Sequence, residues 1–386
     1  MRILIITCTF LLSAVCISAQ QNETLSHTAS WAETLDKAGR ENKLIFVDCY
    51  FTGCMPCAQM DREVFPNPMV RDELQKNFVA IKVDVFKEKL GDTLNMKYAV
   101  SGYPTFLVLD SKGRMLSIFV GYHDPGKLLT MLNEAKDKAG KKEFLSGFAV
   151  THALEYPEFY KKYYARDGSS TDPDAAIKWI KNQKDWTAET VALPIFRTGR
   201  LDTEIETYLI DHYIKYRTSF GEALVIEKAA SILNRRLKDF VGNKENENAF
   251  RKFLSNHSNK IPAADWRILN FLLGYNYYGS VAKDTAGLLK FINEDPLIYM
   301  NYVGSLYSNL LVRKQLDDSN LKLLASWADK AVTIDASFDM IRTAADIHKK
   351  LDDQPGYRRF INMAINRAKK YGMPTETYEK QLAAVK

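Results

Sequence analysis

Leu44-Ile45-Phe46-Val47-Asp48-Cys49-Tyr50-Phe51 leads through Thr52-Gly53 into Cys54-Met55-Pro56-Cys57, and the rest of the chain is read outward from this stretch. An apolar run of strand length delivers two cysteines, two residues apart, to the start of a helix. The exposed N–H groups and positive dipole end of a helix favour a thiolate, and a thiolate is the form that attacks a disulfide. Three readings of the pair compete. A structural zinc site needs two further Cys or His ligands at matching spacing, and the chain has no second C-x-x-C and no histidine pair at ligand spacing. A disulfide kept only for structure closes a tiny loop and restrains the unfolded chain little. Redox chemistry at Cys54 and Cys57 is the reading that the context favours.

With 386 residues and a net charge of +6, the chain has the length of about two or three domains and an ordinary globular composition. The charge is small for this size, and no basic block is interleaved with aromatics, so nucleic acid is not an expected partner. Met1-Arg2-Ile3-Leu4-Ile5-Ile6 opens a short charged start and an apolar core that runs to Ser18-Ala19-Gln20. This pattern is that of a secretory signal over residues 1–19, cleaved after Ala19 or Gln20, and too short for a membrane span. An exported, periplasmic protein with no transmembrane span in its mature form is the expectation. Lipid anchoring through Cys16 is the alternative, against which bulky Val15 precedes the cysteine. Removal of the signal takes Cys8 and Cys16 and leaves Cys49, Cys54 and Cys57. That set describes one working pair and a bystander, not a disulfide-stapled scaffold. Cys49, inside the strand, reads as a small buried apolar side chain, with a regulatory third thiol as the other reading.

Around the cysteines the pattern alternates between helix and strand. Ser30 and Glu33 fit a capping box for a helix from residue 31 to about 40, carried by Trp31, Leu35 and Ala38. A strand over 44–51 follows, and past the cysteines Ala58 to Val64 extends the helix that they open. Asn67-Pro68 starts another helix with Val70 and Leu74 inward. Phe78 to Phe86 reads as a strand and Leu90 to Tyr98 as a short helix. Thr105 to Leu109 and Met115 to Val120 form a hairpin about the Gly113 turn. Asp124-Pro125 starts a last helix that buries Leu128, Leu129 and Leu132.

Four features in this order carry a family resemblance: Asp48 ahead of the first cysteine, the C-x-P-C sequence, Gly102-Tyr103-Pro104-Thr105 before the hairpin, and Gly121 just after it. Residues 31–136 resemble the α/β thioredoxin fold, a central mixed sheet flanked by helices, and specifically the thioredoxin-like domains of exported thiol-disulfide interchange proteins. The resemblance implies that Cys54 is the exposed nucleophile that forms a mixed disulfide and Cys57 the thiol that resolves it. It implies that Asp48 is the buried carboxylate that moves a proton to or from the resolving cysteine. A carboxylate in an apolar strand is costly unless it works or is paired, which gives the same residue a physical motive; a hydrogen-bonded strand-end residue is the bland reading. Pro104 resembles the family's cis-proline, with the backbone of Tyr103 and Thr105 pairing with substrate, where a proline opening a strand is otherwise an edge feature. Gly53 stands where thioredoxins carry a tryptophan and Ala58 where a lysine is common, which puts partner preference in doubt. Met55-Pro56 brings no charge to the pair, so the Cys54 thiol is expected to ionise toward about 7 and not at the ~3.5 of strong oxidants.

From Lys136 the pattern changes. Lys136 to Lys142 reads as a linker, or as a frayed helix end with a solvated charge run, between a thioredoxin-like domain at 20–140 and an all-helical, repeat-like domain at 141–386. Ile226, Ala229, Ala230, Leu233 and Leu237 form one helical stripe; Asp172-Pro173 and Pro262 open further helices. Ala325 to Ala336 resembles the second helix of a tetratricopeptide repeat, and Leu316-Asp317-Asp318 returns as Leu351-Asp352-Asp353 at nearly that repeat's period. Tyr156, Phe159, Tyr160, Tyr163 and Tyr164 read as core or as the lining of a concave peptide-binding surface. The histidines at 27, 123, 152, 212, 257 and 348 show no ligand or triad spacing.

The expectation is an exported thiol-disulfide oxidoreductase that reduces disulfides of exported proteins, without cofactor or metal. The resemblance implies a membrane-borne thiol reductant as electron donor. A disulfide oxidase or isomerase, and a non-enzymatic scaffold whose helical domain binds partners, are the alternatives.

Overall fold

Strand β2 (Leu44–Tyr50), apolar but for Asp48 and Tyr50, is the central strand of the sheet. A computed structural model describes residues 24–27, 30–165, 172–242, 246–295, 306–307, 310 and 317–384; the expected signal at 1–19 lies outside them. β2 pairs in parallel with β3 (Phe78–Asp84) and antiparallel with β4 (Thr105–Leu109), which pairs in turn with β5 (Met115–Val120). β1 (Ser26–His27) adds to β3 and completes the sheet order β1-β3-β2-β4-β5. Helices α1 (Trp31–Glu41), α2 (Met55–Gln59), α3 (Pro68–Asn77), α4 (Lys89–Lys97) and α5 (Pro125–Lys141) flank this sheet. The caps are those the sequence offers: the Ser30 hydroxyl accepts the Glu33 N–H at 3.2 Å, and Asn67 and Asp124 cap α3 and α5.

The period of two along β2 assigns its side chains to faces. Ile45, Val47 and Cys49 belong to one core with Ile81, Val83 and Leu107; Phe46 belongs to the other, with Met60, Val64, Phe65, Val70, Leu74, Phe106, Leu128 and Leu132. Asp48 therefore shares the Phe46 face, under the segment that follows the cysteine pair, and Cys49 points the opposite way.

The remaining chain is helical. α6 (Glu158–Ala165), α7 (Pro173–Lys181), α8 (Glu189–Arg197), α9 (Thr203–Asp211), α10 (Tyr213–Phe220), α11 (Glu222–Val241), α12 (Glu247–His257), α13 (Ala263–Asn276) and α14 (Thr285–Asn293) follow in order. α15 (Asp318–Ala331), α16 (Phe338–Lys350), α17 (Gln354–Lys370) and α18 (Glu376–Ala383) end it. Asp317 and Asp353 cap α15 and α17, so the two returning aspartates mark two helix starts, while Leu316 lies outside the described residues. The stretch from Ala325 to Ala336 is not one helix, because α15 ends at Ala331. Tyr156 and Tyr160 are core, and Tyr163 is exposed.

Two other expectations shift. The run from Lys136 is the end of α5, closed by Lys142 in the left-handed conformation (φ 58°). Two of its charges have partners, Lys136 with Glu73 at 2.6 Å and Lys138 donating to the Ser117 hydroxyl at 3.1 Å, while Asp137, Lys141 and Lys142 are exposed. The helix that opens at the cysteines runs over Met55–Gln59 and then changes into a wide π turn over Met60–Val64. No helix among the described residues is long and apolar enough to cross a membrane.

Candidate active site

The cysteine pair sits where β2 ends. The chain turns at Thr52-Gly53, with Gly53 at φ 98° and open space where a Cβ would stand. A tryptophan at this position would be strained by its backbone, so glycine serves the turn. The turn is closed by the Cys54 N–H donating to the Phe51 carbonyl at 3.1 Å. Cys54 is then the N-cap of α2, its sulfur accepting the Cys57 N–H at 3.2 Å, with Pro56 in the first turn, where its missing N–H costs nothing. Cys54 and Cys57 form a disulfide with Cα atoms 5.3 Å apart. Cys57 is buried and Cys54 is 5 % exposed, while Met55 between them is 80 % exposed.

Pro104 reaches the same end of the sheet. β2 and β4 run antiparallel with Thr105 opposite Cys49, so the loop before β4 lies beside the loop after β2. The Tyr103–Pro104 peptide is cis, the Thr105 hydroxyl donates to the Gly102 carbonyl at 2.7 Å, and the Gly121 N–H donates to the Pro104 carbonyl at 2.8 Å. Phe51 and Tyr103 meet edge to face with ring centres 5.3 Å apart, and Phe86 packs on both, at 5.0 Å from Phe51 and 5.5 Å from Tyr103. Cys54, Cys57, Tyr103, Pro104 and Thr105, named from the sequence, are thus brought to one sheet end.

Asp48 is fully buried, and neither of its carboxylate oxygens has a hydrogen-bond partner among the described residues. Burial pushes its pKa up to about 7; the Lys82 ammonium pulls it down, and the Asp61 carboxylate adds to the rise. Lys82 stands opposite Asp48 in the parallel register, with its ammonium 3.7 Å from the nearer Asp48 oxygen and hydrogen-bonded to Asp61. The same ammonium lies 4.4 Å from the centre of the Tyr50 ring.

Lys82, Asp61 and Phe86 are missing from the sequence reading. Lys82 had a signal: a strand between two buried neighbours has no solvent face for a charge, so a lone lysine there asks for a carboxylate. Asp61 and Phe86 carried none, since each reads as a surface residue of a helix or a strand end. Cys49, on the opposite face, is held as a thiol by burial, which raises its pKa well above the usual range. No group of three or more His, Cys, Asp or Glu among the described residues could hold a metal ion.

Among solved structures, the chain is similar to a thioredoxin from Thermus thermophilus determined in solution, at 26% identity. That match covers 31% of this chain and 92% of the thioredoxin, with a TM-score of 0.29. No curated protein matches the chain. The family model of the thioredoxin-like domain matches residues 31–136, so the N-terminal part of the chain is a thioredoxin-like domain with a Cys54–Cys57 pair, followed by a helical region.

Proposed function

We propose that the protein is an exported thiol-disulfide oxidoreductase that reduces disulfides of exported proteins, with Cys54 as nucleophile and Cys57 as resolving thiol. The observation that carries this reading is the Cys54–Cys57 disulfide at the N-terminus of α2, at the sheet end that also holds the cis peptide at Pro104. In the reaction, the Cys54 thiolate attacks a substrate disulfide, a mixed disulfide forms and one substrate sulfur leaves as a thiolate. Cys57 then attacks the Cys54 sulfur, closing the Cys54–Cys57 bond and releasing the second substrate sulfur. The substrate gains two electrons and two protons, which the cysteine pair loses. A dithiol reductant, taken here to be membrane-borne, returns them. Asp48 serves as the proton acceptor for Cys57, and the backbone around Pro104 holds the substrate chain beside Cys54.

The reducing direction is supported by the Met55-Pro56 dipeptide, which supplies no charge to hold Cys54 as a strongly stabilised thiolate. The test is the reduction potential of the pair in the purified chain, equilibrated with defined thiol buffers. A value near thioredoxin's about −270 mV is expected, whereas one near about −120 mV reverses the proposed direction. Absence of a reversible disulfide removes the enzyme reading altogether.

A further inference from the structure

Lys82 and Asp48 are neighbours in a parallel strand pair, and a buried carboxylate beside a lysine is expected to close with it into a direct ion pair, because an unpaired buried charge is costly. They pair only at ion-pair distance and do not hydrogen-bond. The ammonium is turned to Asp61, and 3.7 Å separates it from Asp48. Asp61 reaches it from the segment behind Cys57, where the helix widens: the Phe65 N–H bonds the Met60 carbonyl at 3.0 Å, five residues back. A π turn of this kind carries one residue more than an α turn, re-aims the side chains that follow, and recurs at functional sites.

We propose that Asp61 is a positioning residue for the proton transfer of disulfide exchange: it holds the Lys82 ammonium off Asp48, so that the Asp48 carboxyl can take up the Cys57 proton and give it back. The proposal rests on the oxidoreductase reading. In the step concerned, Cys57 attacks the mixed disulfide, its thiol proton passes to Asp48, the Cys57–Cys54 bond forms and the bond from Cys54 to substrate breaks. The departing substrate thiolate is then protonated from Asp48 or solvent. A closed Lys82–Asp48 pair would fix Asp48 as a carboxylate well below neutral pH and remove it from this cycle.

The other groups that face this cluster do not substitute for Asp61. Lys82 sees Asp48 and the Tyr50 ring from β2 and Asp61 from the π turn. Tyr50 stays a neutral phenol, raised by burial and by the carboxylates of Asp84 and Glu88. β4 opposes Asp48 with Phe106, which does not titrate.

The test follows the titration of Asp48 by carboxyl NMR in the full chain carrying labelled aspartate, with its signal assigned by its loss in Asp48→Asn. The pH profile of insulin reduction, with dithiothreitol as the reductant, is measured alongside. Asp61→Asn is expected to move the Asp48 titration down by about one pH unit or more, tenfold in proton affinity, and to carry the acid limb of the activity profile with it. Asp61→Glu is expected to leave both close to the wild type. Lys82→Met moves the Asp48 titration the other way, upward. Asp61 is 43% exposed, so these substitutions leave the core intact, and Asp61→Ser repeats the first should Asn prove unstable. A titration unmoved or raised in folded Asp61→Asn, in a chain whose wild type reduces insulin, overturns the proposal alone. A wild type that reduces no insulin at any pH overturns the oxidoreductase reading and takes the proposal with it.

Discussion

Asp48 is the one charged side chain in a strand whose neighbours Val47 and Cys49 are fully buried, and its cost to the fold is pH-dependent in a direction opposite to that of most carboxylates. Its pKa is raised from 3.8 to about 7, so the folded chain binds more protons than the unfolded chain between these values. Stability is therefore lost as pH rises through that window and stays low above it. The shift corresponds to roughly 4 kcal/mol at alkaline pH. Asp48→Asn is expected to be more stable than the wild type in urea at pH above about 8, with the advantage gone near pH 4. A difference between the two chains that is the same at both pH values would show that the fold does not raise the pKa of Asp48. The sequence exposed Asp48 because a charge in an apolar run is conspicuous. Asp61 was illegible for the opposite reason: a carboxylate four residues past Cys57 on a helix is ordinary until the wide turn directs it at Lys82.

Among the elements, those with both a cap and a periodic apolar face were read close to their observed bounds. α1 and α3 are of this kind, and β4 and β5 are bounded instead by the Gly113 turn between them. β1 was not read, since Ser26-His27 is polar and two residues long, and becomes a strand only by pairing with Ile81 and Lys82. Of the two readings of the lysine run, the helix end is the one that the structure shows, and two of its lysines find partners on α3 and β5 that no sequence pattern signals. α4 depends on a residue with no sequence signal at all. A Cβ on Gly91 would lie 2.4 Å from the Val85 Cα and 2.9 Å from the Asp84 carbonyl oxygen, both backbone atoms that cannot turn aside. Gly91→Ala is therefore expected to destabilise the chain by about 2 kcal/mol or more, despite the gain in helix propensity, by forcing α4 off β3. Thermal unfolding of this variant beside the exposed control Gly140→Ala measures the effect; equal melting would mean that α4 has room to shift.

In the whole molecule, the helical region completes the core of one sheet face and is pinned at the other. Phe148, Tyr156 and Tyr160 share a core with Ile45, Val47 and Leu107 of the sheet, and the Leu145 N–H donates to the Met115 carbonyl at 2.8 Å. A fragment ending near residue 140 is thus expected to expose this seam and to unfold at lower urea than the full chain; an equally stable fragment would mean that the two parts are energetically independent. On the far side, Asp124 caps α5 and also accepts from Arg367 of α17 at 2.9 Å and from the Phe338 N–H of α16 at 2.8 Å. Asp124 and Arg367 are both buried, so Asp124→Ala strands a buried guanidinium and is expected to cost about 3 to 5 kcal/mol. Arg367→Met should cost less, because Asp124 keeps its two N–H donors. Urea unfolding of both variants checks the order, and the reverse order would place the weight of the joint on Arg367. The histidine beside this joint, His123, donates its N–H to the Met60 sulfur at 3.5 Å, so the joint lies one contact from the π turn. Cys49, meanwhile, gives the oxidised molecule a gauge of its own integrity. With Cys54 and Cys57 tied to each other, it is the one thiol left among the described residues, and it lies in the middle of the central strand. The rate at which a thiol-specific label reaches Cys49 in the oxidised protein therefore counts how often the central strand opens, and reads out, without denaturant, what each substitution does to the fold.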